Sequence, residues 1–191
     1  MTIGLYFGTF NPVHIGHLII ANHIVEHTTL NEVWFVVTPH NPLKNKKTLL
    51  DNYQRLEMVH LATTNYDKLR VSDIEFGLPQ PNYTINTLTH LKEKYPQHDF
   101  ALIMGEDNLK SLHKWKNYEL IFSDYQIYVY PRVHSMADNN FENHPHIHFV
   151  DAPVVEISST HIRKNIKAKK NVKPLLPENV WKYIDTMNFY N

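Results

Sequence analysis

Two histidines and two glycines lie in one short stretch, GTFNPVHIGH, which runs from Gly8 to His17 directly after an apolar segment. A helix that begins near Gly16 and His17 directs its unpaired N–H groups and the positive end of its dipole at the same point, which suits an anion. Gly8 lets the backbone approach that anion closely. His14 and His17 are three residues apart, so both imidazoles can donate hydrogen bonds to phosphate oxygens. The stretch therefore predicts a phosphate-binding turn.

A second stretch, EISSTHIR, runs from Glu156 to Arg163. Ser158 or Ser159 is a good N-cap for the helix that follows, and the start of that helix again offers unpaired amides to an anion. Arg163, about one turn into the helix, can bind the same anion as a fixed cation. Taken alone, the segment is a capped surface helix. Paired with the first stretch, it predicts a second set of phosphate ligands.

The two stretches resemble the (H/T)xGH and ISSTxIR motifs of the HIGH-motif nucleotidylyltransferases, whose relatives include the class I aminoacyl-tRNA synthetases. In that superfamily the second motif holds the phosphates of ATP from the side opposite the first. The resemblance implies that His14, His17 and Arg163 are the catalytic residues. Phe7 and Asn11 depart from the pattern, since many members have glycine and aspartate at these two positions.

Three further stretches are similar to the nicotinate mononucleotide adenylyltransferases. PHNPLKNKK, from Pro39, corresponds to a Pro-rich loop with a basic residue facing phosphate, and NYTINTL, from Asn82, corresponds to a helix start. IMGEDNL, from Ile103, has Glu106 where alanine is usual and is followed by Trp115. The resemblance implies acceptor-binding residues, namely Lys44, Lys47, Tyr83, Thr84 and Trp115. It also implies ATP-binding residues, namely Gly8, Thr9, Phe10, Gly16, Gly105, Asp107, Ile157, Ser158, Ser159 and Thr160.

Some of these residues have more than one interpretation. Asp107 can accept a hydrogen bond from a ribose hydroxyl, or it can hold the loop in which it lies. Trp115 offers a flat face to an aromatic ring, or it belongs to the core. Lys44 and Lys47 are equally compatible with a solvated basic loop.

The resemblance implies transfer of the adenylyl group of ATP to nicotinate mononucleotide, giving nicotinate adenine dinucleotide and pyrophosphate in NAD biosynthesis. The acceptor phosphate is already a nucleophile, so catalysis needs positioning and charge stabilisation. His14, His17, Arg163 and one loop lysine would neutralise the triphosphate. Mg²⁺ is expected to arrive on the ATP phosphates, with no protein ligand assigned to it. The alternatives are transfer to nicotinamide mononucleotide or another phosphate acceptor, such as phosphopantetheine, and a nucleotide-binding regulator without catalysis.

Strand and helix patterns alternate along the chain and must position these residues. The predicted strands are Thr2–Phe7, Glu32–Thr38, Leu69–Phe76, Phe100–Met104, Tyr125–Tyr130 and Ile147–Val150. The predicted helices are His17–Thr28, Asp51–Thr64, Asn82–Tyr95, a short stretch through Trp115 to Phe122, Ser158–Lys169 and Glu178–Met187, with a loop over Val133–His146. Repeated βα units predict one Rossmann-like α/β domain, residues 1–191, in which helices cover both faces of a parallel sheet and the C-terminal helices start at about 158. Such sheets bind ligands at the carboxyl ends of their strands.

Composition excludes several other classes of protein. The chain has 191 residues, 19 Lys+Arg, 19 Asp+Glu and no cysteine. Balanced charge gives no overall field to attract nucleic acid or a membrane, and the missing cysteines exclude disulfides and zinc–thiolate sites. No signal peptide and no apolar run of membrane-spanning length is evident, so a cytoplasmic location is expected. A homo-oligomer is compatible with the sequence.

Three other patterns are weak indications of metal or nucleic-acid binding. His23 and His27 lie in HIVEH, which matches the HxxEH pattern of zinc peptidases, but the same helix starts with the phosphate motif. His144, His146 and His148 alternate and favour an exposed loop entry over a metal site. Five lysines between 164 and 173, without interleaved aromatic residues, are typical of a solvated helix face.

Overall fold

The computed structural model describes residues 1–39, 49–132, 141 and 144–191. Six strands lie in this part of the chain: β1 (Thr2–Gly8), β2 (Glu32–Val37), β3 (Leu69–Ser72), β4 (Asp99–Gly105), β5 (Gln126–Tyr130) and β6 (Ile147–Phe149). Seven α-helices accompany them: α1 (Ile15–His27), α2 (Asn52–Thr63), α3 (Thr84–Lys94), α4 (Glu106–Ser111), α5 (Tyr118–Asp124), α6 (Ser159–Lys167) and α7 (Glu178–Thr186). The strands and helices alternate as predicted.

The strands form one sheet in the order β3-β2-β1-β4-β5-β6, and every pairing is parallel. The chain builds outward from β1 to β3, then returns to the other side of β1 and builds outward again from β4. The strand order therefore reverses between β1 and β4, which is where open parallel sheets bind nucleotides. Gly8 and Gly105 end these two strands. The Rossmann-like fold is confirmed.

Two apolar clusters cover the two faces of the sheet. One includes Tyr6 of β1 and is completed by α1, α2, α6 and α7, as shown by buried Ile24, Met58, Ile162 and Val180. The other contains side chains from the opposite face of the same strands and is completed by α3, α4 and α5. Alternate residues of a strand point to opposite faces, so a strand buried on both sides reads as a continuous apolar run. The C-terminal helices thus share a core with α1.

Two predicted elements differ from those in the structure. Strand β3 stops at Ser72, and a 3₁₀ turn over Ile74–Gly77 follows, which turns Glu75 inward. The buried Glu75 carboxylate accepts a hydrogen bond of 2.8 Å from Thr87 Oγ1 in α3. The helical stretch after β4 is divided into α4, a 3₁₀ turn and α5, because Asn117 adopts a left-handed backbone conformation that a continuous helix does not allow.

Candidate active site

The two histidines of the first motif form one unit at the start of α1. His14 is the N-cap of the helix, and its backbone N–H donates to Nδ1 of His17 over 3.2 Å. The two imidazole rings stack with their centroids 3.7 Å apart. The helix begins at Ile15, two residues earlier than predicted, so its unpaired amides lie beside both rings.

The orientation of His17 follows from its contacts. Because Nδ1 accepts a backbone N–H, the proton of the neutral ring is placed on Nε2. Phe10 and Tyr6 meet the His17 ring edge-on, with centroids 5.2 and 6.0 Å away. The imidazole is therefore a preorganised donor, held by packing on one side and by the backbone on the other.

His14 is buried, and its environment sets its charge. Burial, with a further contribution from the positive charge of Arg132, lowers the pKa of His14 to about 4. The ring is then neutral at neutral pH and can donate a hydrogen bond but supplies no positive charge. The role of His14 in binding a triphosphate stays a prediction. Its buried Nδ1 has no hydrogen-bond partner among the residues that the structure describes.

The pKa of His14 predicts a pH dependence of stability. The folded chain keeps this ring neutral down to about pH 4, whereas an unfolded histidine takes up a proton near its usual pKa of 6.5. The unfolded state binds more protons between these values, so stability falls as the pH falls through that window. From pH 7 to pH 5 the contribution of His14 is a loss of about 2 kcal/mol. Urea unfolding of wild type and His14→Asn at pH 7 and pH 5 measures this loss. The contributions of the other histidines are the same in both proteins, so they cancel when the two pH-dependent changes are subtracted. Equal losses in the two proteins would contradict the buried, neutral state.

The second motif is attached directly to the first. Ser158 caps α6 by accepting from the N–H of His161 over 3.2 Å, as predicted. Ser159 Oγ donates to the carbonyl of Pro12 over 2.8 Å, across 147 residues of sequence. The starts of α1 and α6 therefore lie beside the same turn.

Arg163 joins the same arrangement. Its Nη1 donates to the carbonyl of Asn11 over 2.7 Å, and its Nη2 donates to Thr160 Oγ1 over 3.3 Å. A guanidinium has five N–H donors in a rigid fork, so these two bonds orient the group while further donors are left for a phosphate. The structure thus brings His14, His17 and Arg163 to one place.

Two glycines are needed for close packing in this region. A Cβ atom on Gly16 would lie 3.0 Å from Val155 Cγ1 and 3.1 Å from Nδ1 of His14. A Cβ atom on Gly8 would lie 2.8 Å from the ring of Phe10. The side chain of Phe10 is itself buried in the core, with a left-handed backbone (φ 45°). The two glycines therefore allow the turn to pack against itself and against the segment before α6. This packing role is additional to the close approach to phosphate that was predicted for them.

The carboxyl ends of β4 and β5 supply a third side of the site. Asp107, in the first turn of α4, lies 3.6 Å from Nε of Arg132. Nη2 of Arg132 donates to the hydroxyl of Tyr130 over 3.3 Å, and its guanidinium lies 5.2 Å from the centre of that ring. Arg132 is not among the residues predicted from the sequence. Its position two residues after β5, the strand beside β4, is the signal that could have identified it.

The predicted acceptor residues that the structure describes lie in two neighbouring segments, the start of α3 and the end of the 3₁₀ turn before α5. Tyr83 is the N-cap of α3, and Thr84 is the first residue of that helix. Trp115 packs against the core cluster on the side of α3 to α5 and is partly buried. The next residue, Lys116, lies 4.6 Å from the centre of the Tyr83 ring, which connects the two segments. Lys44 and Lys47 lie outside the described residues.

The remaining predicted residues have other contacts. The carbonyl of Thr9 accepts from Arg55 over 2.6 Å, and Ile157 packs against the core cluster that contains Tyr6. His23 and His27 stack at 4.2 Å on α1. No group of three His, Asp or Glu side chains within the described ranges could hold a metal ion. Among the helices described, we find none with the length and apolar character needed to cross a membrane.

The comparisons with known proteins agree with this geometry. The cytidylyltransferase-like family model matches residues 5–165. A protein of Flavobacterium psychrophilum named probable nicotinate-nucleotide adenylyltransferase is 69% identical over 191 residues, which cover 100% of this chain and 99% of the relative. This chain belongs to the nicotinate-nucleotide adenylyltransferase family. A Bacteroides fragilis relative with the same name is 46% identical, over 95% of this chain and 90% of that protein.

Solved structures of this adenylyltransferase family show the same fold. The Plasmodium falciparum nicotinic acid mononucleotide adenylyltransferase complexed with NaAD superposes with a TM-score of 0.83 at 20% identity, covering 99% of this chain and 97% of that one. A solved structure from Vibrio parahaemolyticus superposes with a TM-score of 0.72 at 19% identity, over 99% of this chain and 94% of that one. The two solved structures thus share the fold of this chain at low sequence identity.

Proposed function

We propose that the protein transfers the adenylyl group of ATP to nicotinate mononucleotide, forming nicotinate adenine dinucleotide and pyrophosphate in NAD biosynthesis. The observation that carries the proposal is the meeting of two helix starts at one turn. Ser159 and Arg163 of α6 bond to the carbonyls of Pro12 and Asn11, directly before the stacked histidines of α1. Two helix N-termini and a guanidinium converge where the strand order reverses, which is the arrangement that a triphosphate needs.

In this reaction an oxygen of the acceptor phosphate attacks the α-phosphorus of ATP. The new phosphorus–oxygen bond forms as the bond from the α-phosphorus to the bridging oxygen breaks, and pyrophosphate leaves with the electron pair. The acceptor phosphate is already ionised, so no general base is required. The protein contributes positioning and electrostatic stabilisation. We assign Nε2–H of His17 and the guanidinium of Arg163 to the phosphate oxygens on which charge develops.

Nucleotidyl transfer from a nucleoside triphosphate typically uses a divalent metal bound to the phosphates. We propose Mg²⁺ for this protein, with phosphate oxygens and water as its principal ligands, because Mg²⁺ dehydrates reluctantly. Asp107, in the first turn of α4, is paired with Arg132. Mg²⁺ would supply charge neutralisation on the triphosphate.

The acceptor side favours an anionic ring. Unpaired amides at the start of α3, behind Tyr83, can donate to the carboxylate of a nicotinate ring. Lys116, which lies over the Tyr83 ring, adds positive charge beside those amides. A nicotinamide ring would direct an N–H₂ group at these donors, so the hydrogen bonds that a carboxylate accepts there would be lost. We therefore propose a preference for nicotinate over nicotinamide mononucleotide.

A test of function and acceptor together is pyrophosphate release with ATP and a panel of acceptors. We expect the highest kcat/KM with nicotinate mononucleotide, and Trp115→Ala should raise the KM of that acceptor more than the KM of ATP. Trp181→Ala, on α7, is the matched control, since Trp181 packs against the other core cluster. Equal use of the nicotinate and nicotinamide acceptors would contradict the carboxylate argument. Absence of pyrophosphate release with every acceptor would favour the non-catalytic alternative.

A further inference from the structure

Asn11 lies in the phosphate turn, the stretch from Gly8 to His17 that is predicted to bind phosphate, and it contacts distant parts of the chain. Its backbone carbonyl accepts from Nη1 of Arg163 over 2.7 Å. Its side-chain Oδ1 accepts from the hydroxyl of Tyr190 over 2.7 Å and from the N–H of Leu50 over 3.4 Å. Asn11 is itself 4% exposed. One residue of the turn is thus held through its main chain by α6 and through its side chain by the segment after α7.

The hydroxyl of Tyr190 is the donor in this contact. Burial raises the pKa of Tyr190 far above its usual value, although the nearby Arg163 and Arg55 oppose the shift. The group is therefore a neutral O–H donor at all ordinary pH values. Tyr190 also has a left-handed backbone conformation, with φ 67°. This conformation is strained for a residue other than glycine, so the surrounding contacts must maintain it.

We propose that Tyr190 is a positioning residue for adenylyl transfer, which acts through Asn11 on Arg163. The phenol fixes the Asn11 side chain, and the fixed turn keeps the Asn11 carbonyl directed at the guanidinium. A displaced carbonyl would leave Arg163 with one anchor, Thr160, and a wider range of orientations. The expected effect on catalysis rests on the proposed function, because it assumes that Arg163 binds the phosphates of ATP.

The test is Tyr190→Phe, which removes only the hydroxyl. We expect kcat to fall and the KM of ATP to rise, with kcat/KM for ATP about 10-fold lower and the KM of the acceptor unchanged. The matched control is Tyr128→Phe. Tyr128 is also buried, and its hydroxyl forms a hydrogen bond of 3.0 Å with Thr29 Oγ1. Thr29 follows the C-terminal end of α1, whereas the two histidines lie at its N-terminal end. Both variants are assayed well below the lower of their melting temperatures.

A second measurement separates positioning from a general loss of stability. In an Arg163→Lys background, Tyr190→Phe should have little further effect on ATP kinetics, because the group on which it acts is already changed. Wild-type ATP kinetics in Tyr190→Phe, or equal losses in Tyr190→Phe and Tyr128→Phe, would overturn the proposal. Calorimetric ATP binding gives the same comparison without an acceptor. A wild type that binds ATP but does not modify nicotinate mononucleotide would thus reject the proposed function and leave the Tyr190 comparison intact.

Discussion

His17→Ala should lower kcat about 100- to 1,000-fold, the usual cost of removing one preorganised donor from a developing charge. The expectation rests on the contacts that fix the ring. Nδ1 is occupied by the His14 N–H at 3.2 Å, which directs the remaining donor, Nε2–H, away from the backbone. The KM of the acceptor should change little, because the donor is assigned to the ATP phosphates. Steady-state kinetics with both substrates varied give the two constants separately.

A matched control for this variant lies on the same helix. His23→Ala also removes an imidazole from a stacked pair on α1, since His23 lies 4.2 Å from His27. We expect that variant to retain wild-type kcat. Comparable turnover in His17→Ala and wild type would contradict the assignment of His17 to phosphate. A similar loss in both histidine variants would instead indicate that the integrity of α1, and not the donor, sets the rate.

Arg55→Met should destabilise the fold by about 3–5 kcal/mol, because each buried oxygen left without a donor costs roughly 1–3 kcal/mol and some of them will find water. The guanidinium is fully buried and donates to four carbonyls and one side-chain oxygen. These acceptors are Thr9 O, Thr38 O, Pro39 O, Leu50 O and Asn52 Oδ1, at 2.6 to 3.0 Å. Burial lowers the pKa of Arg55 to about 10, so the group is still charged at neutral pH. Methionine fills much of the volume but leaves those oxygens without donors.

Urea unfolding at pH 7 measures the change, and Arg70→Met is the control. Arg70 is exposed and pairs with Glu32 at 3.5 Å, so its loss should cost less than about 1 kcal/mol. A destabilisation of the same small size in Arg55→Met would show that the five acceptors find other donors when the guanidinium is absent. Activity of the Arg55 variant should also fall, because Thr9 belongs to the phosphate turn.

The order of strands and helices could be predicted because its causes are local. Apolar runs such as FALIM in β4, separated by amphipathic helices, indicate buried parallel strands without knowledge of the partners. The phosphate turn was equally visible, because glycine, proline and the two histidines act within ten residues of one another. Where boundaries were wrong, the cause was a tertiary contact or a single backbone conformation, as with Glu75 and Asn117.

The long-range contacts that hold the site in place could not be predicted in the same way. Arg55 lies in a helix of mixed polarity, where an arginine is ordinarily solvated, and its acceptors come from three other segments. The bond from Tyr190 to Asn11 joins residues 179 positions apart. No periodicity relates such pairs. The charge of His14 also depended on burial and on Arg132, neither of which its motif specifies.

The bonds of Arg55 have a consequence for how this family can vary. Pro39 and Leu50 flank the segment that carries Lys44 and Lys47, and one guanidinium binds the carbonyls of both, at 2.9 and 3.0 Å. One side chain therefore holds the two ends of that segment together. The entropy of closing a chain segment grows only with the logarithm of its length. Residues can then be inserted or deleted between these ends during evolution while the phosphate turn, held through Thr9 by the same side chain, keeps its place.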